Sequence, residues 1–183
     1  MQYSELPQLT HERVTLRELT GADAATWYAY LSLPSVHEHT SWNISSAGDL
    51  AHYFATNALQ DPGSAVRFAI ALRSSDELAG TAGFHTVSTL NRSAELAYDL
   101  APAYWGQGIA TAVCEALVEW AFAHVGLVRV QATALESNAR SMKVLERCGF
   151  ECEGLLRSYR MVRGRPGNFW MYSRIRAAAP VGA

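Results

Sequence analysis

Lysine is nearly missing from this chain: Lys143 stands alone among fifteen basic residues, the rest being arginine. A Walker-type phosphate loop needs a Gly-Lys-Ser/Thr core, so that class of nucleotide binder is excluded at once. Cysteine is scarce too; Cys114, Cys148 and Cys152 are odd in number and form no Cys-x-x-Cys pair. Neither a disulfide framework nor a zinc site follows, and the three are expected to serve as small apolar residues in a reducing compartment. No apolar run approaches the roughly 18 residues of a membrane helix, and the first residues lack a basic segment followed by an apolar one. The expectation is a cytoplasmic protein with no membrane segment and no bound metal. Charge of one sign is also lacking: a net charge of -2 exerts no general pull on polyanions, and no nucleic-acid partner is expected. Linkers, repeats and low-complexity tracts are absent from the sequence. Residues 1–183 therefore read as one domain, with a core at about 10–176 and a frayed tail from Ala177 to Ala183.

What the chain does have is an informative stretch from Ser93 to His124. An extended run, residues 93–100, breaks at Pro102, passes Tyr104-Trp105-Gly106-Gln107-Gly108, and becomes about four turns of helix from Ile109. The first amides of a helix have no partner inside it and sit at the positive end of its dipole, so a strand entering a helix through glycines forms a phosphate cradle. Gly106 and Gly108 let the backbone approach such oxygens, Ala110 keeps the first turn small, and the Thr111 hydroxyl is a further donor. A dinucleotide-binding turn would need a third small residue and an acid closing the next strand. Thr111 occupies that third position and Arg129-Val-Gln-Ala-Thr133 carries no acid, which leaves that reading weak.

Around this stretch the hydrophobic pattern lays out alternating elements. Val14 and Leu16 alternate with polar residues as a half-buried strand within 10–19, and a helix is expected from Ala24 to about Leu33, stopped by Pro34. Residues 35–42 read as a polar, aromatic loop that could line a substrate groove or be an ordinary surface connection, followed by a helix from about 45 to 59 and a turn at Asp61-Pro-Gly63. Residues 66–72 and 78–87 form a hairpin, and Asn91-Arg92 turns the chain into the strand at 94–100. After the glycine bend, a helix with Val113, Cys114, Leu117 and Val118 on one stripe leads to a strand at 128–134, parallel to the one before the bend. A helix from Ser137 to Cys148, ended by Gly149, and two strands at 152–162 and 168–175 complete the pattern.

The residues from Leu100 to Thr111 resemble the acyl-CoA loop of the GNAT N-acetyltransferases. About 30 residues on, Asn138-Ala-Arg-Ser141 followed by Gly149-Phe150 resembles that family's second signature. Two signatures in the right order are far more specific than either alone. The opening Arg-Val-x-Leu-Arg, the Tyr-Trp-Gly-Gln-Gly core and the Gly-Phe-x-x-Glu-Gly ending are similar in particular to the RimJ/RimL-type ribosomal-protein N-acetyltransferases. The resemblance implies one mixed α/β domain, a twisted sheet of about seven strands splayed between strands 94–100 and 128–134 and flanked by about four helices. It also implies acetyl-CoA as co-substrate and a primary amine, of a protein N-terminus or a small molecule, as acceptor; a homodimer is the default assembly.

Site residues follow from the same resemblance. Tyr98, Asp99 and Leu100 are expected to meet the pantetheine arm through main-chain atoms, and Gly106, Gln107, Gly108, Ile109, Ala110 and Thr111 to hold the pyrophosphate. Asn138 matches the asparagine that contacts the cofactor arm, although its position equally suits a helix cap. Ser141 matches the serine assigned as acid to the leaving thiolate in RimL-type enzymes, the usual tyrosine position being Leu145 here. For the base, Glu95 on the strand and Glu153 in the Gly-Phe-x-x-Glu-Gly ending are alternatives. Thr133 stands where some ribosomal-protein acetylases carry an acid, and Asn168 where the branch often has Asp. Arg140 and Lys143 could meet the 3′-phosphate or be ordinary helix charges. A CoA-binding sensor that has lost transfer chemistry is the alternative function.

Overall fold

The computed structural model describes residues 5–42, 44–55 and 64–177. Seven strands form one sheet: β1 (Val14–Glu18), β2 (Val66–Leu72), β3 (Leu78–Ser88), β4 (Ser93–Leu100), β5 (Arg129–Leu135), β6 (Glu151–Val162) and β7 (Arg165–Ile175). Their spatial order is β1-β2-β3-β4-β5-β7-β6. β1 to β4 form an antiparallel meander, β5 lies parallel to β4, and β7 inserts between β5 and β6. The helices are α1 (Ala24–Leu31), α2 (Pro34–His37), α3 (His52–Ala55), α4 (Ile109–Trp120) and α5 (Ala139–Arg147). The seven-stranded mixed α/β architecture expected from the sequence is the one observed, with five helices where about four were expected.

The β4–β5 pairing decides where a site can lie. Only Ser93, Ala94 and Glu95 of β4 pair with β5, opposite Arg129, Val130 and Gln131. Beyond Glu95 the strands part, so the β5-facing main chain of residues 96–100 has no strand partner. Unpartnered main-chain groups are costly unless something else bonds to them. Alternation along β4 then sends Ala94, Leu96, Tyr98 and Leu100 into the large core beneath α4, while Glu95 and Asp99 face the other side of the sheet. Val113, Cys114, Leu117 and Val118 of α4 are fully buried in that core, as their helical spacing predicts. A second cluster on the opposite face packs Trp27, Tyr30 and Leu31 of α1 and Val36 of α2 against Ala69.

Several boundaries differ from the sequence expectation. Pro34 does not simply stop a helix; α1 ends at Leu31 and Pro34 opens α2, where a missing N–H costs nothing. Within the helix expected over 45–59, the described residues form a 3-10 turn at Ala47–Leu50 and α3, while 56–59 and the expected turn at 61–63 fall outside the described residues. β7 starts at Arg165 and takes in Pro166, because β5 reaches only to Phe169 and leaves that end of β7 without a neighbour to its other side. Cys114 and Cys148 are buried as expected, whereas Cys152 is exposed.

Candidate active site

The glycine bend is held in a defined shape. Pro102 opens a 3-10 turn after β4, and the Trp105 indole N–H donates back to the Leu100 carbonyl at 2.8 Å. Leu100 is one of the residues expected to meet the pantetheine through main-chain atoms, and the indole occupies one lone pair of its carbonyl. Gly106 and Gly108 both have positive φ, 73° and 77°, and a Cβ built on either would meet no atom within 4 Å. The glycines are therefore required by backbone conformation, and the space before them is open. The Gln107 amide donates to the Ala103 carbonyl at 2.8 Å, while its carbonyl accepts from Arg13, so this side chain braces the bend.

Helix α4 begins with no side-chain cap on Gly108. Its first intrahelical bond runs from Ala112 N–H to the Gly108 carbonyl at 3.0 Å, so the amides of Ile109, Ala110 and Thr111 precede it. Ile109, Ala110 and Thr111 line a cleft of about 520 Å³ bounded by the bend, β4, α5 and α2. All the residues expected at the cofactor, from Tyr98 to Leu100, from Gly106 to Thr111, and Asn138 with Ser141, line this one cleft. Arg140, Lys143 and Arg147 edge it from α5, and the Arg140 guanidinium lies 4.8 Å from the Trp105 ring centroid. The far wall, Val36, His39 and Thr40, comes from α2 and the turn after it, within the segment 35–42 read from the sequence as a loop that could line a groove; its short helix was not foreseen.

Asn138 is a helix cap. Its carbonyl accepts the Ser141 N–H at 3.1 Å and its amide donates to the His39 carbonyl at 3.2 Å, joining α5 to the α2 wall. Ser141 lies one turn on, with Oγ 2.9 Å from the Tyr98 hydroxyl. Burial pushes the Tyr98 phenol far above its ordinary range, so it remains a protonated donor. The Tyr98 hydroxyl also reaches the Ser141 carbonyl at 3.3 Å, and when it donates to Oγ instead the serine hydrogen is free to point elsewhere. The side chain of Tyr98, expected only as main chain, is thus part of the site.

The two candidate bases separate cleanly. Glu95 is 2% exposed, in the last row before β4 and β5 part. Its Oε1 accepts from Thr133 Oγ1 at 2.6 Å and from Arg160 at 2.9 Å, and His85 Nε2 lies 3.8 Å away. Thr133, at the position of the missing acid, therefore holds the acid on the neighbouring strand. Glu153 is not brought to the cleft. It pairs with both terminal nitrogens of Arg129 at 2.7 and 2.6 Å and accepts from Ser173 at 2.7 Å, beside the closed end of the β4–β5 pair. Hydrogen bonds from Arg129 and Ser173 hold its carboxyl down at about 2, the opposite of what a base needs. Asp99 lines the cleft as expected of its main chain, while its side chain points to the other face, forming a buried ion pair with Arg67 and accepting from Thr81, Trp27 and Tyr30. Asn168 bridges the Ser158 N–H and the Glu136 carboxylate. Among the described residues no cluster suited to a metal occurs.

A sheet parted between two parallel strands, with a helix opening beside the parting, is an arrangement this chain shares with solved acetyltransferases. Residues 13–151 match the family described as the acetyltransferase (GNAT) domain, and the chain belongs to that family of N-acetyltransferases. It is 34% identical over 169 residues to an uncharacterized N-acetyltransferase, p20, of Bacillus licheniformis, covering 90% of this chain and 94% of that one. The fold superimposes on ribosomal-protein-S5-alanine acetyltransferase from Vibrio fischeri with a TM-score of 0.80 at 20% identity, covering 91% of this chain and 94% of that one. It superimposes on spermidine N-acetyltransferase from Vibrio cholerae, in complex with CoA and spermine, with a TM-score of 0.77 at 20% identity, covering 88% and 95%.

Proposed function

We propose that this enzyme moves the acetyl group of acetyl-CoA directly onto a primary amine, with the diphosphate on the amides of Ile109, Ala110 and Thr111 and the thioester in the gap between β4 and β5. The observation that carries this reading is the uncapped start of α4, opening onto the same cleft as Tyr98 and Ser141. Backbone donors and the helix dipole suit an anion there, and Arg140, Lys143 and Arg147 add positive charge at the cleft edge. The pantetheine amides find unpartnered main chain along residues 96–100, as an added strand would.

Tyr98 and Glu95 lie on opposite faces of β4, which suits a division of labour. On the cofactor side, Ser141 donates to the departing sulfur, oriented by Tyr98. On the other side, Glu95 supplies the negative charge that draws an ammonium and assists removal of its proton. The acceptor is an amine of a protein N-terminus or of a small molecule; the structural neighbours named above act on a ribosomal-protein alanine and on spermidine, so the shared fold favours neither. Calorimetry with CoA, followed by thiol release from acetyl-CoA with a panel of amines, tests the proposal. CoA binding together with amine-dependent release is the expected result. Binding with no release on any amine supports a sensor instead, and no binding removes the cleft assignment.

A further inference from the structure

Glu95 does not face the gap alone. The β3–β4 register sets His85 directly opposite Glu95, and Glu95 opposite Gln131, so the three stand in one cross-strand row where the parting begins. The next row toward the open end is Gly83 and Ala97, where the β2 main chain at Val66 and Arg67 packs directly over Gly83. Arg67, paired with Gly83, turns away to its buried partner Asp99. His85 and Glu95 thus stand together at the edge of the parting, with the Arg67–Asp99 pair further along the same face.

Glu95 is poorly placed to touch a substrate, being 2% exposed with Oε1 already accepting from Thr133 and Arg160. The His85 side chain is 35% exposed. Its Nδ1 lies 2.8 Å from Thr86 Oγ1, and an Nδ1–H donated to that hydroxyl leaves a lone pair on Nε2, on the Glu95 side. Thr86 has a φ of 51°, a conformation that a β-branched residue adopts at a cost, directly after His85 where the register with β4 slips. The 3.8 Å between Nε2 and Glu95 Oε1 is too long for a hydrogen bond. An acceptor nitrogen can reach Nε2 at about 2.8 Å, with the Glu95 charge nearby rather than in contact.

We infer that His85 is the group that takes the proton from the acceptor amine, with Glu95 as the carboxylate that stabilises the resulting imidazolium. This assignment rests on the transferase reading above. The nitrogen lone pair forms the C–N bond, its proton passes to His85 Nε2, and the C–S pair leaves with sulfur, which takes the Ser141 proton. Solvent then removes the His85 proton and restores that of Ser141. The charged groups facing His85 are Glu95 from β4, Arg160 from β6 and Arg67 from β2. Burial, aided by the two arginines and opposed by Glu95, holds His85 below its ordinary value, so the neutral base predominates at neutral pH.

The test compares wild type, His85→Gln and Glu95→Gln on the best acceptor among an alanine-first peptide, a serine-first peptide, spermidine and glycinamide. The expected result is a loss of about 100-fold or more in kcat/KM for His85→Gln, with CoA affinity unchanged and partial rescue by added imidazole. The acid limb of the wild-type pH profile, below the ordinary histidine value, vanishes in the variant and coincides with the His85 titration followed by NMR in the wild type. A His85→Gln enzyme that keeps its rate and acid limb, or a limb that departs from the NMR titration by more than about one pH unit, overturns the assignment. Wild-type enzyme inert toward every amine would sink the transferase reading itself and this one with it.

Discussion

Tyr98 shows how much one side chain on a strand can decide. Its ring is packed in the core beside α4, and its hydroxyl meets Ser141 Oγ at 2.9 Å, so the phenol orients the serine without acting as an acid. Ser141→Ala should lower kcat by tenfold or more while leaving CoA affinity in place, as measured by steady-state thiol release and calorimetry. Tyr98→Phe keeps the ring and removes one hydrogen bond, worth about 1 kcal/mol, so its kcat should fall by roughly fivefold. Because the two act as a unit, the double variant should be no slower than Ser141→Ala alone; full additivity would show that the tyrosine acts elsewhere. The spacing Asn138-x-x-Ser141 was legible in the sequence because it is local to one helix turn. The Tyr98 hydroxyl was not, since its partner lies 43 positions away. Glu153 was misjudged for a similar reason: nothing near it in sequence announces Arg129 or Ser173.

At the scale of one element, the start of α4 is where conformation and charge can be separated. Gly108 has a φ of 77°, and an added Cβ there strikes nothing. Gly108→Ala therefore introduces backbone strain of about 1 kcal/mol without filling the cradle, and should weaken CoA binding only modestly. Gly108→Asp introduces no greater strain, because aspartate tolerates the left-handed region, but it sets a negative charge beside the helix start. Calorimetry should find CoA binding abolished for the aspartate variant, with both variants similarly reduced in melting temperature. Equal CoA affinities for the two would remove the diphosphate from this helix end. The glycine bend and the α4 stripe were plain in the sequence, since both are short-range patterns. In the segment 35–42 the groove-lining role was open to the sequence but the helical form of α2 was not, because a single turn opened by Pro34 has no periodicity to reveal it.

Across the molecule, the Arg67–Asp99 pair binds the meander to the helical layer behind the gap. The side chains of Arg67 and Asp99 are 8% and 5% exposed, and the guanidinium lies 5.2 to 5.8 Å from the centroids of Trp27, Trp42 and Tyr53. Asp99 also accepts from Tyr30 and Trp27 of α1 and Thr81 of β3. Removing one partner of such a pair strands a buried charge, so Arg67→Met should destabilise the fold by about 3–5 kcal/mol in urea unfolding. Replacing both, as Arg67→Met with Asp99→Leu, should recover part of that loss; a double variant weaker than the single one would show that Asp99 has a further role.

The sequence by itself determined the local matters: which runs alternate as strands, which carry a helical stripe, and where glycines leave a helix start uncapped. These depend on residues within a turn or two of one another. Only the tertiary structure decided that β7 enters between β5 and β6, that β4 and β5 part after Glu95, and that Glu95 meets Thr133, Arg160 and His85 while Glu153 is spent on Arg129. Those outcomes follow from the register between strands far apart in the chain, and a slip of one residue sends every side chain to the opposite face.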